Sequence, residues 1–516
     1  MTRFFNTAGP CRPEMHYMLP PERRLPDVRR LVAQQLYFVL HAPRQVGKTT
    51  ALRTLAQALT REGSHVAVLV SMEVGAAFPE DIGAAERAVL DGWRRTAEAQ
   101  LPPEFAPPPW PDAPPGARVG AALTAWARAC PRPLVVFLDE IDALRDRVLL
   151  SVLRQLREGY DNRPRAFPAS LALIGLRDVR DYKVASGGSE QLHTASPFNV
   201  MSDSLTMREF TEVEVAELLA QHTKETGQPF SPEAVAALFA FTGGQPWLVN
   251  ALARHLTEVL VPERAQTLTA QDVGRAKEAL IARNDTHLNS LSERLRDPRV
   301  RGVIAPMLAG ELLGDVSADD RQFVIDLGLV RRSPDGGLVI ANPIYREVLP
   351  RELAQGPQDS LPRIAPTWLD ARGEIDAARL LDAFLAFWRQ HGEPLLRAAP
   401  YAEVAAQLVM MAFLHRVANG GGTLTREYAI GSGRMDLCLR YRATTLGIEL
   451  KVWRQGQRDP LAEGLAQLDA YLAGLDLASG WLVIFDQRQG LPPIGERTTS
   501  ERMTTPNGRD VAVIRA

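Results

Sequence analysis

The stretch Leu36–Thr50 constrains this chain more than any other. A short apolar run, Phe38–Leu40, stops at Ala42-Pro43. Arg44-Gln45-Val46-Gly47-Lys48-Thr49-Thr50 follows, then an Ala- and Leu-rich helix-forming segment through Leu59. A strand, a loop ending in Gly-Lys-Thr and a helix is the sequence form of a site for nucleoside-triphosphate phosphates. Gly47 lets the backbone close around the phosphates, while the N–H groups from Arg44 to Thr50 and the helix N-terminus point at negative charge. Lys48 is expected to reach the β- and γ-phosphates, and the Thr49 hydroxyl to be a Mg²⁺ ligand. Ala42 stands where the full motif has its first Gly, a departure that matters only if that position needs a positive φ.

The acidic partner of this loop comes later. Pro133–Leu138 reads as a buried strand ending in Asp139-Glu140-Ile141-Asp142. A carboxylate at the C-terminal end of a parallel strand faces the crevice where α/β sheets bind ligands. Asp139 is placed to orient the Mg²⁺ shell and Glu140 to polarise an attacking water, so hydrolysis is expected rather than passive binding. His65–Ser71 and Leu171–Leu176 supply further strands, and Pro197–Val200 reads as the last short one. Arg177–Asp181, at a strand end, suits either γ-phosphate sensing or a plain surface salt-bridge cluster. The Pro-rich span Leu101–Gly116 blocks helix and central strand alike and reads as an extended surface excursion. In the N-terminal arm, Phe5, Tyr17 or Met18 can pack on a base or against the sheet edge.

With 516 residues the chain has room for about three domains. A net charge of −2 excludes nucleic-acid binding by bulk positive charge, so any such contact must come from a local patch. Cys11, Cys130 and Cys438 lack metal spacing and read as reduced thiols. There is no apolar segment of membrane-spanning length and no signal-peptide pattern, so no membrane partner and a cytoplasmic location are expected.

Beyond the sheet, Phe210–Phe241 and Leu248–Leu260 have helical spacing, interrupted by Thr242-Gly243-Gly244-Gln245-Pro246-Trp247. This is expected to form a helical lid whose Gly-Gly turn either approaches the nucleotide or makes a simple corner. Residues 290–355 run helix, strand, tight turn, strand, the outline of a winged-helix domain, with no basic run on the recognition helix.

The C-terminal part carries a second constellation. Met435–Leu439 alternates as a strand with Asp436 on one face, and Thr445–Trp453 is a strand in which Glu449 and Lys451 share a face opposite Ile448, Leu450 and Val452. Two carboxylates on adjacent strands can share a hard divalent ion, and a lysine beside them can hold a water and offset charge on a phosphodiester transition state. A helix bearing Gln467 and Tyr471 on one face follows, before the apolar strand Trp481–Phe485.

Two resemblances add to this reading. HAPRQVGKTT, VVFLDEID, LIGLRD and TGGQPW resemble the AAA-like branch of P-loop ATPases related to the STAND and archaeal-type ATPases, over roughly residues 1–350. The resemblance implies that Lys48 and Thr49 are the Walker A pair and that Asp139 and Glu140 are the Walker B pair. It also implies that Gly244 and Pro246 form the nucleotide-contacting turn of the lid. No arginine finger is assignable. The last 145 or so residues, through YAEVAAQLVMMAFLHRVANGGG, GSGRMDLCL, GIELKVW and LAQLDAYL, resemble the PD-(D/E)xK nuclease fold. By that resemblance Asp436, Glu449 and Lys451 form the metal-binding and catalytic core, Gln467 supports it, and Glu403 is the acid of the first core helix, with Glu427 an alternative.

The expected fold class is therefore α/β: a P-loop NTPase parallel sheet with helical lid and winged-helix domain, then a restriction-endonuclease-like α/β domain. The expected limits are 1–205 for the ATPase core, 206–289 for the lid, 290–355 for the winged helix and 370–516 for the nuclease-like domain. The expected function is an ATP-regulated nuclease using ATP and Mg²⁺, with Mn²⁺ possible at the second site. It is expected to act on nucleic acid, DNA in preference to RNA, and as a homo-oligomer. The rival is a signalling or scaffold ATPase whose nuclease-like domain binds without cutting.

Overall fold

The computed structural model describes residues 3–175, 200–283, 286–309, 313, 316–333, 336–350, 365–398, 405–418, 422–430 and 433–516. The chain divides into two compact units, Met1–Arg283 with Ser317–Pro343 and Asn284–Val316 with Ile344–Ala516.

In the first unit, β1 (Tyr37–His41), β2 (Val66–Ser71), β3 (Leu134–Asp139), β4 (Ser170–Gly175) and β5 (Met201–Thr206) form one sheet in the order β2-β3-β4-β1-β5. Every pairing is parallel. Nearly every residue of β1 to β4 is buried, because helices cover both faces of the sheet. Trp93, Trp126 and Leu153, from helices Ile82–Gln100, Arg118–Ala129 and Asp146–Gly159, fill one face. Leu31, Leu52 and Leu55, from Pro26–Ala33 and Lys48–Glu62, fill the other.

The last strand is Met201–Thr206 rather than Pro197–Val200. Its Ser-Asp-Ser interior is what an edge strand with only β1 as a neighbour can tolerate, and it lacks the apolar run that marked the central strands. The Pro-rich span runs over the surface between helices Ile82–Gln100 and Arg118–Ala129, as its prolines require, but it is tied down. Phe105 is buried, the Trp126 indole donates to the Phe105 carbonyl at 3.0 Å, and the Trp110 indole donates to the Leu90 carbonyl at 3.1 Å. Two aromatics thus pin the prolines to the core.

The lid comprises Glu212–Thr226, Pro232–Thr242, Pro246–His255 and Ala270–Arg283. Thr211 and Glu214 form a reciprocal capping box, and Ser231 caps the second helix ahead of its first-turn proline. The remaining piece of this unit is helix Ala318–Asp326 and a hairpin of β6 (Val330–Arg332) with β7 (Leu338–Ile340). The helices Thr286–Leu295 and Pro298–Ala309, which precede it along the chain, belong to the second unit.

The second unit is built on β8 (Gly422–Ile430), β9 (Gly433–Tyr441), β10 (Thr444–Trp453), β11 (Ser479–Asp486), β12 (Thr499–Thr504) and β13 (Asp510–Arg515), ordered β12-β13-β11-β10-β9-β8. β8, β9 and β10 are antiparallel, whereas β10, β11 and β13 run parallel, with helix Leu461–Gly474 as the crossover between β10 and β11. Helices Ala377–Ala398 and Ala405–Ala418 pack on one face with Ile448, Trp481 and Val483. The crossover helix packs on the other through Leu465, Leu468 and Leu472. Among the described residues no helix is long and apolar enough to cross a membrane.

Candidate functional site

The loop after β1 closes as its composition requires. Two of its residues are left-handed, Gln45 at φ +62 and Gly47 at φ +95, whereas Ala42 has no positive φ. The missing first Gly therefore costs no backbone strain. Gly47 is the N-cap of helix Lys48–Glu62, so the helix N-terminus opens directly on the loop. The Lys48 ammonium donates to the Ala42 carbonyl at 2.6 Å and the Pro43 carbonyl at 2.9 Å, folded over the loop. The Thr49 hydroxyl donates to Asp139 Oδ2 at 2.7 Å, although β4 lies between β1 and β3. Lys48, Thr49, Asp139 and Glu140 are thus gathered at one end of the sheet. The first unit is a P-loop NTPase fold with a helical lid.

Burial sets the charges at this site. It pulls the Lys48 ammonium below the usual lysine value, with Glu140, Asp139 and Asp142 opposing. It pushes Asp139 up against the Thr49 hydrogen bond and the Lys48 charge. Glu140, itself left-handed at φ +56, is raised by burial and then by Asp142 and Asp139. It lines a cleft of about 420 Å³ with Arg44, Glu73, Asp142 and Arg145. The hydroxyl of Thr49 and the carboxylate of Asp139 are the oxygen donors a hard cation such as Mg²⁺ takes, so the donor set fits that ion.

Two charged residues with no local motif complete the P-loop surroundings. Arg24 is buried, donates to the Val46 carbonyl at 2.8 Å, and reaches the Arg208 carbonyl through Nε at 2.8 Å while lying over the Phe210 ring. Beside it, burial pushes Glu209 up to about 7, against the charges of Arg24 and Lys48. The arm is strapped to helix and lid: Cys11 N–H donates to Thr50 Oγ1 at 3.0 Å, and the Trp247 indole donates to the Thr7 carbonyl at 2.8 Å. Phe5 and Tyr17 meet each other and His222 of the lid in tilted and edge-on contacts, so their rings pack the arm–lid junction. Gly244, at φ +78, accepts from Phe210 N–H at 2.9 Å and ties the lid turn to the chain leaving β5, while Pro246 opens the next helix. Arg177–Asp181 lies outside the described residues.

In the second unit, β9 and β10 pair so that Leu437 lies opposite Ile448. One step along, Asp436 Oδ2 accepts from the Leu450 N–H at 2.8 Å. Glu449 is 3% exposed, and Lys451 Nζ is 3.2 Å from its Oε1. The same ammonium donates to Gln467 Oε1 and lies 3.5 Å from Glu463 Oε1. Glu463 belongs to no motif of its own, yet it stands four residues before Gln467 on one helix, a spacing that puts both on one face. Glu449 is raised by burial and by Asp436, against Lys451. For Lys451, burial pulls down, but Glu449, Asp436 and Glu463 outweigh it and leave the ammonium raised.

Glu449 Oε2 is closed to solvent and takes no hydrogen bond. A buried carboxylate oxygen of this kind fits a hard cation. Among the described residues no group of three or more His, Cys, Asp or Glu side chains is placed to hold a metal ion; Asp436 and Glu449 stand near enough for the one carboxylate to raise the other. Glu403 lies outside the described residues, as does the side chain of Glu427.

No protein-family model matches this chain, and no curated protein does. Among solved structures, a Walker-type ATPase of Pyrococcus abyssi is similar at 14% identity and a TM-score of 0.46, covering 67% of this chain and 99% of its own. The Aeropyrum pernix ORC1 protein in complex with DNA follows at 17% identity and a TM-score of 0.35, covering 66% and 94%. The Thermotoga maritima RuvB Holliday junction branch migration motor has 14% identity and a TM-score of 0.34, covering 63% and 92%. At these values the likeness carries no functional argument; the loop geometry does.

Proposed function

We propose that this chain is an ATP-regulated, Mg²⁺-dependent nuclease, with ATP hydrolysis in the first unit and phosphodiester cleavage in the second. The observation that carries the second half is the Lys451 ammonium held between buried Glu449 and Gln467, with Asp436 anchored across the β9–β10 pair. The alternation of a helix, three antiparallel strands, a crossover helix and a parallel strand supports the nuclease-like reading.

In the first unit Lys48 would leave the Ala42 and Pro43 carbonyls to meet the phosphates, Thr49 and Asp139 would hold Mg²⁺, and Glu140 would orient the attacking water. The Gly244–Pro246 turn would lie against the bound nucleotide. In the second unit Asp436 and Glu449 would hold Mg²⁺, which supplies charge stabilisation at the phosphate. Lys451, set by Gln467 and Glu463, would position water for addition to phosphorus as one ester P–O bond breaks. DNA is the proposed substrate in preference to RNA, with a homo-oligomer as the working form, and the limits 1–205, 206–289, 290–355 and 370–516 belong to this proposal.

The test is ATP turnover by wild type against Lys48→Ala, and Mg²⁺-dependent cleavage of DNA and RNA substrates by wild type against Lys451→Ala. Turnover that survives Lys48→Ala removes the ATPase half. Equal cleavage by both proteins, or none under any nucleotide condition, removes the nuclease half and leaves a binding module.

A further inference from the structure

The chain enters the first unit a second time over Ser317–Pro343, between two stretches of the second unit, Asn284–Val316 and Ile344–Ala516. What this inserted piece touches is the nucleotide site. Where helix Ala318–Asp326 ends, Gly328 adopts φ +73, and a Cβ built on it would lie 2.5 Å from Pro43 Cγ and 2.7 Å from Pro43 Cβ. Only glycine allows that approach, on both backbone and steric grounds.

Pro43 is no bystander, since its carbonyl is one of the two that hold Lys48. Two residues before Gly328, Asp326 Oδ1 is 3.9 Å from Nδ1 of His41, the last residue of β1, and His41 Nε2 is 3.1 Å from Thr206 Oγ1 at the end of β5. Past the hairpin, the same insertion meets the lid. A Cβ on Gly243 would lie 3.3 Å from the Ala341 carbonyl and 3.4 Å from Asn342 Cβ. One short segment, continuous at both ends with the second unit, therefore rests on the strand that feeds the phosphate loop, on the loop and on the lid corner.

We infer that the Asp326–Gly328 turn is a positioning element of the phosphate loop and the link through which nucleotide occupancy reaches the second unit. The inference rests on the reading of the first unit as a nucleotide site and is independent of the nuclease reading. When Lys48 turns from the Pro43 carbonyl to a phosphate, Pro43 must adjust, and a glycine packed against its ring leaves no slack to absorb the change. The displacement is passed along Ser317–Pro343 to the chain on either side. Coupling of this kind needs an element that both sites bias, and the insertion is such an element.

The experiment uses the full chain and Gly328→Ala, with Asp326→Asn as a second variant that removes the His41 contact without adding volume. A fluorescent ATP analogue with Mg²⁺ measures affinity, and hydrogen exchange over Ile344–Pro350 with and without ATP measures coupling. The expected result is a loss of affinity of about tenfold in Gly328→Ala, a smaller loss in Asp326→Asn, and an ATP-dependent exchange difference present in wild type and absent in Gly328→Ala. Wild-type affinity with the exchange difference intact in both variants overturns the inference. An exchange difference that survives weakened binding overturns the coupling. Wild type that binds ATP no better than Lys48→Ala refutes the nucleotide reading itself, a distinct outcome.

Discussion

Lys451→Met should destabilise the second unit in a way that depends on pH. Glu449 is 3% exposed and Lys451 Nζ lies 3.2 Å from its Oε1, so methionine removes the nearest cation from a buried carboxylate while keeping most of the side-chain volume. A buried charge stripped of its partner costs about 3–5 kcal/mol if it stays ionised. It can avoid the cost by protonating, at about 1.4 kcal/mol per pH unit between its folded and unfolded values. Burial and Asp436 already raise Glu449 above the ordinary carboxylate range with the lysine present, and the variant raises it further.

The sign follows from proton binding. The folded protein keeps a proton that the unfolded chain releases near pH 4.3, so stability falls as pH rises from about 4.3 towards the folded value. Burial and Asp436 hold Glu449 at about 8 in the wild type, so both proteins keep the proton below that pH. The gap between them should stay constant from pH 5 to 7 and widen above about pH 8 by at most about 1.4 kcal/mol per pH unit, until the variant's own higher folded value is passed. The exposed Glu463 contact adds little. Thermal melts at pH 5, 7 and 9, with amide exchange of β10 to localise the effect, would measure it. Glu449→Gln in the Lys451→Met background should flatten the pH dependence. A gap that is the same at every pH, or that Glu449→Gln does not touch, would refute the account.

Three further outcomes follow from the first unit. Thr49→Val removes the 2.7 Å hydrogen bond to Asp139 and should lower the melting stability of the nucleotide-free chain by about 1.5–3 kcal/mol, with weakened Mg²⁺-ATP binding by calorimetry. Gly244→Ala places a Cβ 2.0 Å from the Phe210 carbonyl at φ +78, and should cost about 2–4 kcal/mol and expose the lid corner to limited proteolysis. Glu209→Gln removes a carboxyl held up at about 7, so it should leave stability nearly unchanged at pH 4 and raise it by about 3–4 kcal/mol at pH 8, read as a melting shift.

Much of the fold was legible because the central strands are buried on both faces, so VAVLVS and LVVFLD stand out as unbroken apolar runs. The edge strand MSDSLT carries no such run, and the last strand was displaced by a few residues for that reason. Asp436, Glu449, Lys451 and Gln467 were legible because strand and helix periods fix which side chains share a face. Arg24 and Glu209 were not, since sequence gives no sign that residues 22 before Val46 and 161 after Lys48 come together under the loop. The aromatic arm misled for a related reason: Phe5 and Tyr17 found a buried histidine over 200 positions away, and nothing local distinguishes that from stacking on a base.

The strap between Trp247 and the Thr7 carbonyl spans 240 residues. During synthesis the arm emerges first and can meet Thr50 early, yet Thr7, Phe5 and Tyr17 have no lid to close on until the lid helices have been made, tens of seconds later at about 5–20 residues per second. For that interval Phe5 and Tyr17 would be uncovered apolar surface on the nascent chain. Such a delay makes the arm a natural place for a chaperone to hold, and it makes slow codons ahead of the lid costlier than slow codons after it.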